Sequence, residues 1–139
     1  LHKLDNTRFI DSTSGWFKKK ESDVESLHVY FKPVKLKPSK KPIVLSEFGG
    51  YSYNVKDHVF NPNKTYGYKK FESREDFENA FVALYENEVI PNIKNGLCGA
   101  IYTQVSDVED ETNGLMTYDR AITKVSRERL LEIAEKLKI

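Results

Sequence analysis

The sequence has little cysteine, no long hydrophobic run and no excess of charge of one sign. Its single cysteine, Cys98, excludes an internal disulfide framework and a zinc site built from cysteines. Because Cys98 lies in the apolar run GLCGAIY, we expect a buried, unreactive thiol. No stretch approaches the roughly 20 apolar residues that a membrane-spanning helix needs. Lysine and arginine number 22 against 21 aspartate and glutamate, so neither nucleic acid nor a membrane is expected as a partner.

Two lysine clusters, at 17–20 (FKKK) and 35–41 (KLKPSKK), stand out against this balance. Both are short and local, and the second contains a proline. We interpret them as solvated loops, with an anion-binding site as the alternative.

The length of 139 residues suits one domain or part of a larger one, and 39% hydrophobic and 31% charged residues suit a globular chain. The chain starts at Leu1 without an initiator methionine, and its opening segment is typical of the middle of a protein. We therefore expect a fragment of a longer chain. No signal peptide is visible, which favours the cytoplasm, but targeting information upstream of Leu1 would not be seen, so the compartment stays open.

Four short apolar or β-rich runs and two amphipathic segments predict a mixed α/β fold. The runs lie at 8–10, 27–31, 43–48 and 97–105. One helix is predicted to begin after Ser73, to kink at Pro91 and to end at Gly96. A second covers 126–139, with an apolar stripe at Leu130, Ile133, Ala134 and Leu137. Strands alternating with helices in this order are typical of a parallel sheet.

Glu47 is the principal candidate for chemistry. It follows the largely apolar run at 43–46 and precedes Gly49 and Gly50, which leave room for a ligand. The loops after the predicted strands are long, as they are where (β/α)8 barrels carry their active sites. A carboxylate at such a strand end can attack an anomeric carbon, or it can be a structural partner of a lysine or arginine. Spacing alone does not choose between these.

The segments VLSEFGGYS and GLCGAIYTQVSDVEDETNGLMTYDR resemble the C-terminal half of the catalytic barrel of family 2 glycoside hydrolases, which include β-galactosidases, β-glucuronidases and β-mannosidases. LDNTRFIDSTSGW resembles the fifth barrel strand and its loop, DVESLHVYF the sixth, IVLSEFGG the seventh and GAIYTQVSD the eighth. The resemblance implies that residues 1–139 are a partial TIM (β/α)8 barrel, approximately strands 5 to 8, with helices following parallel strands. It further implies a retaining, β-galactosidase-like hydrolase of carbohydrate β-glycosides.

The resemblance also assigns roles to individual residues. Glu47 matches the catalytic nucleophile, and Tyr30 matches a tyrosine whose hydroxyl bonds that nucleophile. Tyr102 stands where many relatives carry a tryptophan that stacks on the sugar. Trp16 is interpreted as a sugar-stacking platform or a core plug, and His28 as a ligand of a sugar hydroxyl or an internally satisfied histidine.

One part of the expected machinery is missing from the sequence. A retaining hydrolase needs a second carboxylic acid about 5 Å from the first, and the family supplies it from an Asn-Glu pair on the fourth strand. The one such pair here, Asn87-Glu88, lies in a predicted helix and is interpreted as a surface feature. We therefore expect 1–139 alone to be inactive and, lacking the N-terminal half of the barrel, either to self-associate or to shield its open edges with its own loops and terminal segments.

The sequence requires no cofactor, and it leaves other functions open. Some members of the family use magnesium or sodium, but no ligand cluster in this sequence demands either, so no metal ligand is assigned. The segment at 109–120 imitates a calcium-binding loop, although Arg120 replaces its final glutamate. The alternative class of function is a non-catalytic carbohydrate-binding or assembly module, favoured by the many tyrosines at 51–71.

Overall fold

The computed structural model describes residues 1–13 and 15–138 and has a mixed α/β fold. Its strands and helices follow the chain in this order: β1 (Glu25–Val29), β2 (Ile43–Gly49), β3 (Tyr51–Tyr53), β4 (Lys69–Phe71), α1 (Arg74–Leu84), β5 (Leu97–Thr103) and α2 (Arg127–Lys136). A π-helical turn, Tyr85–Val89, and a 3-10 helix, Ile90–Asn95, continue α1 towards β5. None of the described helices has the length and apolar character needed to cross a membrane.

The main sheet is parallel, with β2 between β1 and β5. The predicted parallel α/β arrangement is therefore confirmed for three strands. The expected strand at 8–10 is not formed in the described structure. Instead, the Ile10 amide donates to the Asp23 carboxylate at 2.7 Å and the Ile10 carbonyl accepts from the Asp23 amide at 2.8 Å. These two bonds to a single residue take up the backbone groups of Ile10 that a strand ladder would have used.

Helix α1 begins and ends as its sequence predicts. The Ser73 hydroxyl accepts a hydrogen bond from the Asp76 amide at 3.0 Å, which caps the first turn. The helical path changes type at Tyr85 and again at Ile90, just before Pro91. Gly96 closes the segment with φ of 95°, a left-handed conformation that glycine adopts without steric cost.

The core lies between the main sheet and α1. The ring of Phe48 on β2 meets those of Tyr85 and Tyr102 edge-on, and Phe81 of α1 packs against the same two rings. Phe48 is completely buried. Apolar side chains of β2 therefore hold the helix against one face of the sheet, which leaves the polar side chains of the same strand for the other face.

The expected burial of Cys98 is wrong, and the predicted apolar stripe of α2 is only partly buried. Cys98 is exposed, because β5 buries Leu97 on one face and its alternation turns the next side chain to the other face. In α2, only Ile133 of the predicted apolar stripe is buried, while Leu130 and Leu137 are half-buried and Ala134 is exposed. The helix thus rests on the domain along a narrower line than its sequence pattern indicates.

A buried ion pair anchors the long segment between β5 and α2. Lys124 Nζ lies 2.7 Å from Asp107 Oδ1 and also donates to the Thr112 carbonyl at 2.9 Å. The Gly114 amide donates to the same carboxylate oxygen at 2.8 Å. Burial raises the pKa of Asp107 and lowers that of Lys124, while their mutual attraction opposes both shifts.

Candidate active site

Glu47 lies near the C-terminal end of β2, the central strand, with its side chain 46% exposed. Its neighbour Phe48 is buried in the core. The register of β2 against β5 is irregular between Leu45 and Phe48, and that against β1 shifts at His28, which pairs with Glu47. These irregularities interrupt the regular alternation of side chains between the two faces of the sheet, and at this point the Glu47 carboxylate faces solvent.

Tyr30 is the closest polar partner of this carboxylate. Its hydroxyl donates to Glu47 Oε2 at 2.7 Å and lies 2.9 Å from Thr103 Oγ1. A tyrosine hydroxyl has one proton, so once that proton goes to Glu47, the Thr103 hydroxyl must be the donor in the second bond. Burial raises the pKa of Tyr30, Thr103 opposes the shift and Glu47 adds to it. The hydroxyl therefore stays protonated as a donor to the carboxylate.

Tyr68 and Gly50 support Tyr30 from the side. The rings of Tyr68 and Tyr30 stack with centroids 3.9 Å apart and planes 7° apart. Gly50 has φ of 64°, and a Cβ atom there would lie 2.3 Å from the Tyr68 ring. Sequence reasoning missed Thr103 and Tyr68. No motif marked them, because they reach the site through pairing of distant segments.

His28 is in contact with the carboxylate but is not aligned for a hydrogen bond. Its Nδ1 lies 3.3 Å from Glu47 Oε2, with the imidazole only 6% exposed. That nitrogen has no hydrogen-bond partner in the described structure, so the two groups are in close contact without the geometry of a hydrogen bond. Gly15 permits this packing, because a Cβ atom there would lie 2.1 Å from the imidazole.

Trp16 lies beside His28 and is open to solvent. The two rings meet edge-on with centroids 5.2 Å apart, and Trp16 is 60% exposed. Of the two roles considered for this residue, a core plug is excluded by the exposure. A platform for a ligand ring remains a prediction.

Tyr102 is the one predicted substrate-binding residue that the structure places away from the site, which corrects that expectation. It is 8% exposed, and its ring packs against Phe48 and Phe81. The Tyr51 amide donates to its hydroxyl at 3.1 Å. Burial raises the pKa of Tyr102. The alternation of β5 sends Tyr102 into the core and leaves the next residue, Thr103, to contact Tyr30.

Side chains of the acidic segment at 109–120 and of the Asn87-Glu88 pair form hydrogen bonds and ion pairs with other parts of the protein. Asp110 pairs with Lys64 at 2.7 Å, and Gln104 donates to Glu111 at 3.0 Å. Within residues 1–13 and 15–138, no three metal-ligating side chains are grouped. Glu88 lies in the π-helical turn and accepts the Val34 amide at 2.7 Å. The pair is thus part of the helical layer, in keeping with the sequence interpretation.

No protein-family model matches the chain, and no curated protein matches it. What the site can do follows from its geometry. A half-exposed carboxylate at a parallel strand end, held on one oxygen by a phenol and contacted there by a histidine, can act as a nucleophile, a base or a ligand for a hydroxyl-rich molecule.

Proposed function

We propose that the chain is the part of a retaining β-glycosidase that carries the nucleophile, and that the nucleophile is Glu47. The observation that supports this most directly is the 2.7 Å hydrogen bond from Tyr30 to a half-exposed carboxylate at the end of the central parallel strand. The resemblance to family 2 glycoside hydrolases calls for that pairing at these two positions. The enzyme activity and the family itself are part of the proposal.

The two carboxylate oxygens would have separate tasks. Tyr30 and His28 both contact Oε2, and no hydrogen bond to Oε1 occurs within the described residues. Oε1 is therefore the oxygen that would attack the anomeric carbon of a β-glycoside. The bond from that carbon to the leaving oxygen breaks as the ester forms, and the leaving oxygen takes a proton from a second carboxylic acid. Water then attacks the same carbon, gives up a proton to that carboxylate and releases Glu47.

The second acid would come from outside these 139 residues. The protein groups that contact the Glu47 carboxylate in the described structure are Tyr30 and His28, and neither is a carboxylic acid. In the proposed architecture the three parallel strands belong to the C-terminal half of a (β/α)8 barrel. The open outer edges of β1 and β5 would pair with the remaining strands. Any requirement for magnesium or sodium would belong to the complete enzyme.

Covalent labelling tests the nucleophile. A 2-deoxy-2-fluoro-glycosyl fluoride forms a long-lived ester with a retaining nucleophile, and its good leaving group reduces the need for acid assistance. Incubation of the complete enzyme with galactosyl, glucuronyl and mannosyl reagents, followed by peptide mass spectrometry, should find the sugar on Glu47. Glu47→Gln should abolish the label, whereas Glu111→Gln, at an exposed glutamate, should retain it. A label on another carboxylate of an active enzyme would contradict the assignment.

The expected inactivity of the chain by itself has its own measurement. The 139 residues should not turn over nitrophenyl glycosides, because no second carboxylate is in place to activate the water that must release the sugar from Glu47. Turnover that disappears in Glu47→Gln would overturn this expectation while supporting Glu47 as nucleophile.

A non-catalytic carbohydrate-binding module is the second candidate. It is favoured by exposed aromatic side chains near the site, since Trp16 is 60% and Phe31 80% exposed. Aromatic faces stack on sugars without any chemistry. Such a module would bind sugars reversibly and take no covalent label, so the same reagents distinguish the two functions.

A further inference from the structure

His28 is a buried, titratable side chain that the proposed reaction leaves without a role. Its imidazole is 6% exposed, and Nδ1 has no hydrogen-bond partner among residues 1–13 and 15–138. Buried polar atoms are nearly always hydrogen-bonded, because an unpaired one gives up its bonds to water without replacement. An unpaired ring nitrogen beside a candidate nucleophile therefore indicates a partner that it gains in another state of the site.

The acceptor within reach of this nitrogen is the Glu47 carboxylate. Oε2 lies 3.3 Å from Nδ1, just beyond the usual N–H···O range of about 2.7–3.2 Å. The distance is thus nearly that of a hydrogen bond, and the alignment is what is lacking. A small rotation of either side chain would both shorten and align the contact.

The imidazole is the fixed member of this pair, and the carboxylate is the one free to turn. The ring of Trp16 meets the imidazole edge-on with centroids 5.2 Å apart. A Cβ atom added at Gly15 would lie 2.1 Å from the imidazole, and the Gly15 carbonyl accepts from the His28 amide at 3.3 Å. The Glu47 side chain is by contrast 46% exposed. A carboxylate that leans towards a bound sugar therefore changes its angle to Nδ1, while the imidazole keeps its place.

Oε2 has room for a second donor. Tyr30 donates to this oxygen at 2.7 Å, and each oxygen of an ionised carboxylate has two lone pairs to accept with. A bond from Nδ1 would add to that of Tyr30 on the same atom and leave Oε1 for the anomeric carbon. Hydrogen bonds at catalytic sites are often poorly aligned in the unliganded protein and tighten during the reaction. An interaction that is stronger in the transition state than in the ground state speeds the chemical step.

We propose that His28 is a positioning residue for the nucleophile: its Nδ1 carries a proton and donates a hydrogen bond to Glu47 Oε2 as the carboxylate attacks. The role in the reaction rests on the proposed function, whereas the donor itself rests on the burial of Nδ1 and its distance from Oε2. The same bond would serve again when water releases the sugar, because negative charge returns to the carboxylate at that step. The partner of His28 is thus the nucleophile, in place of the sugar hydroxyl considered from the sequence.

Two isosteric variants of the complete enzyme test the proposal. His28→Asn and His28→Leu have the same branched shape and leave the same cavity, but only asparagine has an N–H group close to the position of Nδ1. We expect the limiting rate of covalent labelling by the fluorosugar to be about tenfold lower in His28→Leu than in His28→Asn, as for a hydrogen bond to a charged group. The reagent concentration that gives half of the limiting rate should be the same in both variants.

The other outcomes of this comparison overturn the proposal. Equal limiting rates in the two variants, with thermal denaturation showing that both are folded, would remove the role of the donor. A higher half-saturating concentration in His28→Leu with an unchanged limiting rate would make His28 a ligand of the sugar instead.

A measurement on the 139-residue chain depends neither on activity nor on the folding of the two His28 variants. Long-range nitrogen–proton NMR spectra identify which imidazole nitrogen carries a proton, and we expect Nδ1 of His28 to carry one. Glu47→Gln should shift the Nδ1 resonance, whereas Glu111→Gln, at an exposed glutamate, should leave it unchanged. An unprotonated Nδ1 would overturn the inference. A protonated Nδ1 in a protein whose Glu47 takes no label would refute the glycosidase and retain His28 as a donor facing Glu47.

Discussion

Tyr30 donates a hydrogen bond to Glu47 at 2.7 Å, and Thr103, 73 residues further along the chain, holds the same hydroxyl at 2.9 Å. The Tyr30 hydroxyl therefore connects the C-terminal ends of the three parallel strands β1, β2 and β5. The arrangement fixes one carboxylate oxygen and leaves the other towards solvent.

Removing the Tyr30 hydroxyl should slow the reaction of Glu47. Hydrogen bonds to charged groups contribute about 1.5–3 kcal/mol, so Tyr30→Phe should lower the rate of covalent labelling by the fluorosugar by roughly tenfold to a hundredfold. Tyr118→Phe, at an exposed tyrosine, is the control and should label at the unchanged rate. An unaltered rate in Tyr30→Phe would show that the bond has no part in the chemistry.

Gly50 should tolerate alanine less well than Gly96. Both have positive φ, 64° and 95°, but a Cβ atom at Gly50 would lie 2.3 Å from the Tyr68 ring, whereas one at Gly96 has only Ile43 at 3.9 Å. The backbone cost of about 1–2 kcal/mol applies to both, and only Gly50→Ala also displaces Tyr68 from Tyr30. Urea denaturation should show the larger loss at Gly50. Equal losses would mean that the ring moves aside without cost.

The buried pair of Lys124 and Asp107 should show strong coupling. Lys124→Met leaves a buried carboxylate without its counter-charge, which costs about 3–5 kcal/mol. Asp107→Asn likewise leaves a buried ammonium group. Because the double variant has neither buried charge, its loss in the free energy of unfolding should be smaller than the sum of the two single losses. Additive losses in a double-mutant cycle would contradict this account.

Alkaline pH should destabilise the domain through its buried tyrosines. Burial raises the pKa of Tyr85 from 10.0 to about 12. A folded-state pKa above the unfolded value gives a stabilising contribution that is present below pH 10 and is lost as pH rises towards 12. Tyr85→Phe keeps the ring against Phe48 and Phe81 and removes the proton.

The measurement is the free energy of unfolding between pH 10 and pH 12. In Tyr85→Phe its slope against pH should be shallower by one proton, about 1.4 kcal/mol per pH unit. Tyr118→Phe, at an exposed tyrosine, should keep the slope of the unchanged protein. The same slope in all three proteins would mean that folding does not change the pKa of Tyr85, as expected for a hydroxyl in contact with water.

Much of the fold follows from local sequence. The apolar runs that became β2 and β5, the capping serine of α1 and the glycine that ends the segment before β5 all depend on neighbours close in the chain. The run at 8–10 failed as a strand because pairing needs a partner edge, and here a carboxylate of Asp23 bonds the backbone instead. Burial at Cys98 failed because the alternation of β5 buries Leu97 and turns the next side chain to the other face.

The sequence by itself determined that Glu47 ends an apolar run next to glycines, and that His28 and Tyr30 stand in the preceding apolar run. Only the tertiary structure decided which side chains share the site: it brought in Thr103 and Tyr68 and sent Tyr102 into the core. The physical reason is that strand formation depends on local residue pattern, whereas contacts at a strand end depend on register and pleat. A register shift of one residue in β5 would exchange the positions of the Tyr102 ring, in the core, and the Thr103 hydroxyl, at the site.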